Sequence, residues 1–230
     1  MSAVHDNTPV LVGCAQITQR EADPLRARAP IELMADAARA AAADSASGQA
    51  LLDAVDTAVV IRSFADTSWR FACPFGSYEN PPAALLAELG TTASRLVYTE
   101  AGGNMPQWCV NRLGEAISRG EADVALIAGG EALATQKAAQ RADIMLDWSR
   151  PASSAPQSWG VSKRGWSDVE DRHGMRGAIY AYPLFEQAIR AARGRSLAEH
   201  QQAMGELLAR FAAVAASNPL ADRRDGYDAS

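Results

Sequence analysis

Apolar and polar positions divide the first 135 residues into two alternating kinds of block. Four runs have strand length, at residues 10–17, 56–64, 95–99 and 124–128. The first, Pro-Val-Leu-Val-Gly-Cys-Ala-Gln-Ile, is apolar on both faces, as in the centre of a covered sheet. Between the runs the spacing is helical. Pro30 opens a helix with the stripe Ile31, Met34, Ala35, Ala38 and Ala42, and residues 51–55 form a short helical piece. Residues 83–89 form another, ended by Gly90, and Cys109, Leu113, Ala116 and Ile117 repeat on a third that stops at Gly120. Strands alternating with helices predict right-handed crossovers and a mostly parallel sheet.

The stretch from 95 to 135 organises the chain. A strand ends at Thr99, Gly102 and Gly103 allow a sharp reversal, and Pro106 belongs in a helix's first turn, with Asn104 or Met105 as the cap. Such a helix start aims unpaired N–H groups and a partial positive charge at the turn. A thiol there would be nucleophilic, and a thioester carbonyl or a phosphate would be held. A plain strand–helix–strand crossover without a ligand fits the same spacing.

Residues 66–82 are a loop rich in aromatic and turn residues, long enough to suggest a function or an interface. After Thr135 the character changes. Residues 136–148 read as a polar helix with Ala139, Ile144 and Met145 inward, and residues 149–171 as a long loop of lid or substrate-loop type. An amphipathic helix follows with Tyr180, Leu184, Ala188, Ile189 and Ala192. Ser196 and Glu199 form a capping box ahead of Leu197, Met204, Leu207, Leu208, Phe211 and Val214. The expected division is residues 1–135 and 136–230.

Composition narrows the functional classes. The net charge is −5 over 230 residues, without a basic run, which argues against nucleic acid. No apolar stretch reaches membrane-spanning length, and the first residues lack a secretory pattern. Cys14, Cys73 and Cys109 form no CxxC pair, so neither a disulfide framework nor a zinc site is expected, and a reducing cytoplasm is the expected location. Cys14 is expected to be buried and inert. Of the three histidines, His5 lies in the N-terminal tail, His200 is expected on a helix surface, and His173 sits in a site-like setting. There is no G-x-G-x-x-G and no P-loop.

The run from Gly102 to Ala134 resembles the nucleophile region of thiolases, in particular the sterol-carrier-type branch labelled acetyl-CoA acetyltransferase. The matching features are the turn and helix, Ile-Ser-Arg-Gly-Glu-Ala-Asp-Val-Ala-Leu, and Ala-Gly-Gly-Glu-Ala. The resemblance implies a thiolase-like N-terminal half: α/β, a mostly parallel five-stranded sheet with helices on both faces, and a helical loop domain over an acyl-CoA pocket. It covers most of this chain but only the first half of the family's length. The family transfers acyl groups through a cysteine on the turn. Counting back from Gly120 puts Gly103 at that position, with Cys109 almost two turns too late, so no residue here is a confident catalyst.

The resemblance further implies substrate-binding roles for Gly102, Gly103, Asn104, His173 and Met175, and structural support from Gly129, Gly130 and Glu131. Lys163, Arg164, Arg172 and Arg176 are candidates to meet CoA phosphates. It implies no cofactor, a coenzyme A thioester as substrate, an acyl-CoA ligand and a homodimer pairing near residues 95–99. The expected function is binding or conversion of acyl-CoA thioesters in lipid metabolism. The alternative is a non-catalytic subunit or truncated half that completes a multi-chain complex, with a small acyl-CoA-binding protein as a possible partner.

Overall fold

The computed structural model describes residues 6–67, 69, 71–161 and 165–228. The chain divides into two compact units, one ending at Ser162 and one beginning at Lys163.

The first unit holds the sheet. Its strands are β1 (Thr57–Val60), β2 (Arg95–Thr99), β3 (Ala125–Ala128) and β4 (Gln157–Trp159), in the order β3-β1-β2-β4. All three pairings are parallel, with Val59 opposite both Val97 and Ile127. Its helices are α1 (Pro30–Asp44), α2 (Gln49–Asp53), α3 (Pro81–Leu89), α4 (Met105–Ser118) and α5 (Leu133–Arg141).

Strand periodicity sorts the core into two layers. Ala58, Val60 and Tyr98 point to one face, where they meet Ile31, Met34, Ala35 and Ala38 of α1 and Leu85, Leu86 and Leu89 of α3. Val59 and Val97 point to the other, onto Met105, Cys109 and Leu113 of α4. Helices therefore cover both faces of the sheet, as expected.

The helix ends follow local chemistry. Asn80 caps α3, its Oδ1 accepting the Ala83 N–H at 3.1 Å while its amide donates to the Ser154 carbonyl at 2.9 Å. Gly90 ends α3 at φ 73° and Gly120 follows α4 at φ 69°, a backbone that glycine adopts without strain. Asp56 ties β1 to β3: its Oδ2 accepts the Asp123 N–H at 2.5 Å and the Val124 N–H at 3.0 Å.

The sheet has four strands rather than five. Residues 10–17, expected at its centre, form no strand, because β1 pairs directly with β3 and leaves no slot between them. The segment instead passes beside β3, Gly13 lying close against the Ala41 carbonyl of α1 and the Cys14 N–H donating to Asp44 Oδ2 at 3.1 Å. Cavities of about 410 and 320 Å³ separate it from the edge of β3. Val10, Leu11 and Val12 are 71%, 85% and 52% exposed, and Cys14 is exposed rather than buried. The fourth strand, β4, comes from the expected lid loop. The strand expected over 56–64 is confined to β1, and α5 ends at Arg141, short of the expected helix. Asp143 turns to φ 54° and Met145 faces solvent.

The second unit contains α6 (Asp168–Arg172), α7 (Ala178–Ala192) and α8 (Leu197–Ser217). The Ser196–Glu199 capping box is present, the Ser196 hydroxyl accepting the Glu199 N–H. His200, expected on the surface, is 3% exposed and its Nε2 lies 2.8 Å from Glu186 Oε1 of α7, a hydrogen-bonding partner for the inward-turned ring. Ile179, Leu184, Phe185, Leu207, Leu208, Phe211 and Val214 are exposed along α7 and α8.

Candidate functional site

The turn after β2 is built as its residues require. Asn104 is the N-cap residue of α4, but its side chain makes no cap hydrogen bond, and Pro106 lies in the first turn. The Met105 N–H donates to the Gly102 carbonyl at 3.0 Å, and the Trp108 N–H to the Asn104 carbonyl at 3.0 Å. Gly102, Gly103 and Asn104 are exposed. A Cβ at Gly103 would meet nothing within 4 Å, whereas one at Gly102 would lie 2.8 Å from Asn104 Oδ1. The opening of α4 is thus accessible from solvent, with free volume above Gly103. Cys109 is 0% exposed inside α4's core stripe, and burial pushes its thiol up, so it is not a nucleophile on that turn.

Beside the turn, β1 and β2 diverge. The chain leaves β1 toward α3 on one face and leaves β2 toward α4 on the other. This is the switch point at which open α/β sheets hold ligands beyond the strands' carboxyl ends. A cavity of about 570 Å³ opens there, lined by Arg62, Asp66, Tyr78, Glu79, Tyr98 and Ser158 among others.

Hydrogen bonds hold this wall together. The Arg62 N–H donates to Thr99 Oγ1 at 3.1 Å and its Nε–H to the Thr99 carbonyl at 2.8 Å. The guanidinium lies 4.6 Å over the Tyr98 ring and 3.8 Å from Glu100 Oε1, which also accepts the Ser158 hydroxyl at 3.1 Å. The Tyr98 hydroxyl donates to Asp66 Oδ2 and accepts the Ser63 N–H at 3.0 Å. Burial, with Asp66 beside it, pushes the Tyr98 phenol up. Tyr78 accepts the Ile31 N–H at 3.3 Å, and burial pushes its phenol up to about 12.

The aromatic loop forms the outer side. It is strapped to the chain before β4: the Trp148 N–H donates to the Phe75 carbonyl at 2.7 Å, and the Arg150 N–H to Ser77 at 3.1 Å. Gly76, at φ 103°, lets the two segments touch, since a Cβ would lie 2.1 Å from Ser149 Oγ and 2.8 Å from the Ser149 backbone nitrogen.

Gly129, Gly130 and Glu131 follow β3. A Cβ on Gly130 would press on Met34 Cγ at 2.9 Å, and Glu131 Oε1 accepts the Phe64 N–H at 2.5 Å. The apolar surroundings of Glu131 push its carboxyl up, the Phe64 bond opposes this, and Asp66 adds repulsion. His173 and Met175 belong to the second unit. His173 caps the end of α6 and is exposed, Met175 is half-buried, and Arg176 pairs with Asp171 at 2.5 Å. Lys163 and Arg164 lie outside the described residues. Arg62, Asp66, Tyr98 and Ser158 went unrecognised in the sequence, where they are scattered over nearly a hundred positions. The two long loops at 66–82 and 149–171, which carry Asp66 and Ser158, were the available signal.

Four parallel strands between helix layers, with a glycine turn at a helix start, define an α/β unit with its parallel sheet covered on both faces. No protein-family model matches the chain, and no curated protein matches it. Among solved structures it is similar to a monomeric SCP2-thiolase like protein type 1 (STLP1) from Mycobacterium smegmatis, at 29% identity and a TM-score of 0.73. The match covers 99% of this chain and 39% of that one. The chain has a thiolase-like fold. No described helix is long and apolar enough to cross a membrane.

Proposed function

We propose that this chain binds acyl-CoA thioesters at the glycine turn and handles them without forming an acyl-enzyme. The observation that carries the reading is the opening of α4: solvent-accessible, uncapped by the Asn104 side chain, and vacant above Gly103. A thioester carbonyl placed there receives the helix's first-turn N–H groups, which stabilise negative charge on oxygen. With glycine in place of a nucleophile, the chemistry open to the site is carbon–carbon bond making or breaking through an enolate. Lipid metabolism and a reducing cytoplasm fit this substrate and the three free thiols. A homodimer is part of the same proposal.

Titration calorimetry with acetyl-CoA and a longer acyl-CoA tests it. Saturable binding that weakens at least about tenfold in Gly103→Trp supports the turn as the thioester site. A folded chain that binds neither ester refutes it. Sedimentation of the same sample reads the oligomeric state, the solved neighbour being described as monomeric.

A second reading is a non-catalytic subunit that completes a multi-chain thiolase-like assembly. It is favoured by the exposed apolar side chains along α7 and α8, since a contiguous exposed apolar patch marks an interaction surface. Absence of acyl-CoA binding together with formation of a stable hetero-complex would select it.

A further inference from the structure

The cavity at the carboxyl ends of β1 and β2 stands apart from the glycine turn in its chemistry. Its volume of about 570 Å³ is that of a small-molecule site. Among the described residues that line it, the charged side chains are Arg62, Asp66 and Glu79. Arg62 is engaged within the wall by the Thr99 carbonyl, the Tyr98 ring and Glu100. Asp66 and Glu79 are exposed to the cavity's side of the loop, and each carries one described hydrogen bond, from the Tyr98 hydroxyl and from the Ala152 N–H at 2.8 Å respectively. A carboxylate offers about four acceptor positions, so both retain capacity for a ligand. Arg150, which approaches Tyr78, is matched by Glu88 at 3.9 Å. Among the described residues the wall therefore presents two carboxylates and the Tyr78 ring.

The cavity continues inward. Ala65, Asp66, Ser77, Tyr78 and Tyr98 also border a narrower slot with about 40 Å³ of free space, backed mostly by apolar side chains such as Met34, Val60, Ile61, Leu133 and Trp148, with Ser63, Glu131 and Gln136 also on its wall. That space takes a methyl or ethyl group against the apolar part of the wall. Carboxylates and aromatic faces at the mouth of a small apolar recess are the chemistry that recognises alkylated ammonium groups.

We propose that this cavity binds a small organic ammonium ion, its charge held by Asp66 and Glu79 beside the Tyr78 ring and a short alkyl group seated in the slot. Choline and tetramethylammonium are the probes, followed by NMR titration of the intact chain, with 3,3-dimethylbutan-1-ol as the uncharged isostere of choline. Choline is expected to bind saturably, and the isostere at least about tenfold more weakly. The double change Asp66→Asn and Glu79→Gln removes the charge while each amide oxygen can still accept from Tyr98 and Ala152, and it is expected to weaken choline by about tenfold or more. If that pair perturbs folding, Glu79→Gln alone, at an exposed position, reads a smaller loss of the same sign. Equal affinity for the isostere, undiminished binding in the folded charge-removed variants, or no saturable binding of either ammonium probe overturns the proposal.

Discussion

At the scale of single residues, Gly103 is the most informative position. Open space above it and a neighbouring helix start mean that a side chain can be installed without displacing anything. Gly103→Cys is expected to fold like the parent and to carry a thiol of lowered pKa, because the helix N-terminus favours the thiolate. A pH series of iodoacetamide labelling would show it reacting below pH 8, well ahead of an ordinary thiol. The natural cysteines provide the contrast: in the native chain Cys14, which is exposed, should alkylate, and Cys109, at 0% exposure, should not until unfolding. Mass spectrometry of brief labelling separates the two. Cys14 and His200 are also where sequence reasoning failed, for a common reason. A residue's type reports how it prefers to be placed, whereas a sheet that closes without residues 10–17, or a carboxylate on the next helix, decides where it goes.

Among elements, the glycine and cap positions were legible and the short strand was not. Gly90, Gly120, Pro30 and the pair Asn104–Pro106 each have a stereochemical preference that few other positions satisfy, and the helices start or end on them. β4 has three residues of mixed polarity, and its strand character comes wholly from pairing with β2, which no local pattern records. The candidate cavity was hidden likewise, since Asp66, Tyr98 and Ser158 meet only when β1, β2 and β4 align.

Asp56 gives this scale its sharpest test. Asp56→Ala leaves the Asp123 and Val124 N–H groups at the start of β3 without their acceptor and should cost about 1–3 kcal/mol by chemical denaturation. Partial burial acts to raise the Asp56 carboxyl, but the hydrogen bonds from Thr57, Val124 and Asp123 outweigh it and hold the group below the usual carboxylate range. A depressed carboxyl contributes stability above its unfolded pKa and loses it as pH falls through the folded value. The gap between parent and variant should therefore be full at neutral pH and narrow below about pH 4. Gly76→Ala is expected to cost at least about 1 kcal/mol, because positive φ and the Ser149 contact oppose a Cβ together.

At the scale of the molecule, the thiolase-like architecture is that of a sheet covered on both faces and open at its two edges. Parallel strands and two helix layers were foreseeable from alternation alone, whereas strand count and the division at Ser162 depended on long-range pairing. One edge is β3, whose residues Ala125, Leu126, Ile127 and Ala128 include no charge and no proline. Lysines, prolines and bulges are the usual means by which a strand edge avoids recruiting another chain. None is found on β3, and the segment of residues 10–17 passes beside that edge, where another chain would have to add. Removing residues 1–17 should turn a dispersed sample into one that grows by edge-to-edge addition, visible as rising light scattering, and a lysine at Leu126 should slow that growth. The apolar ribbon beside the sheet would then matter less for the stability of one molecule than for keeping many molecules apart.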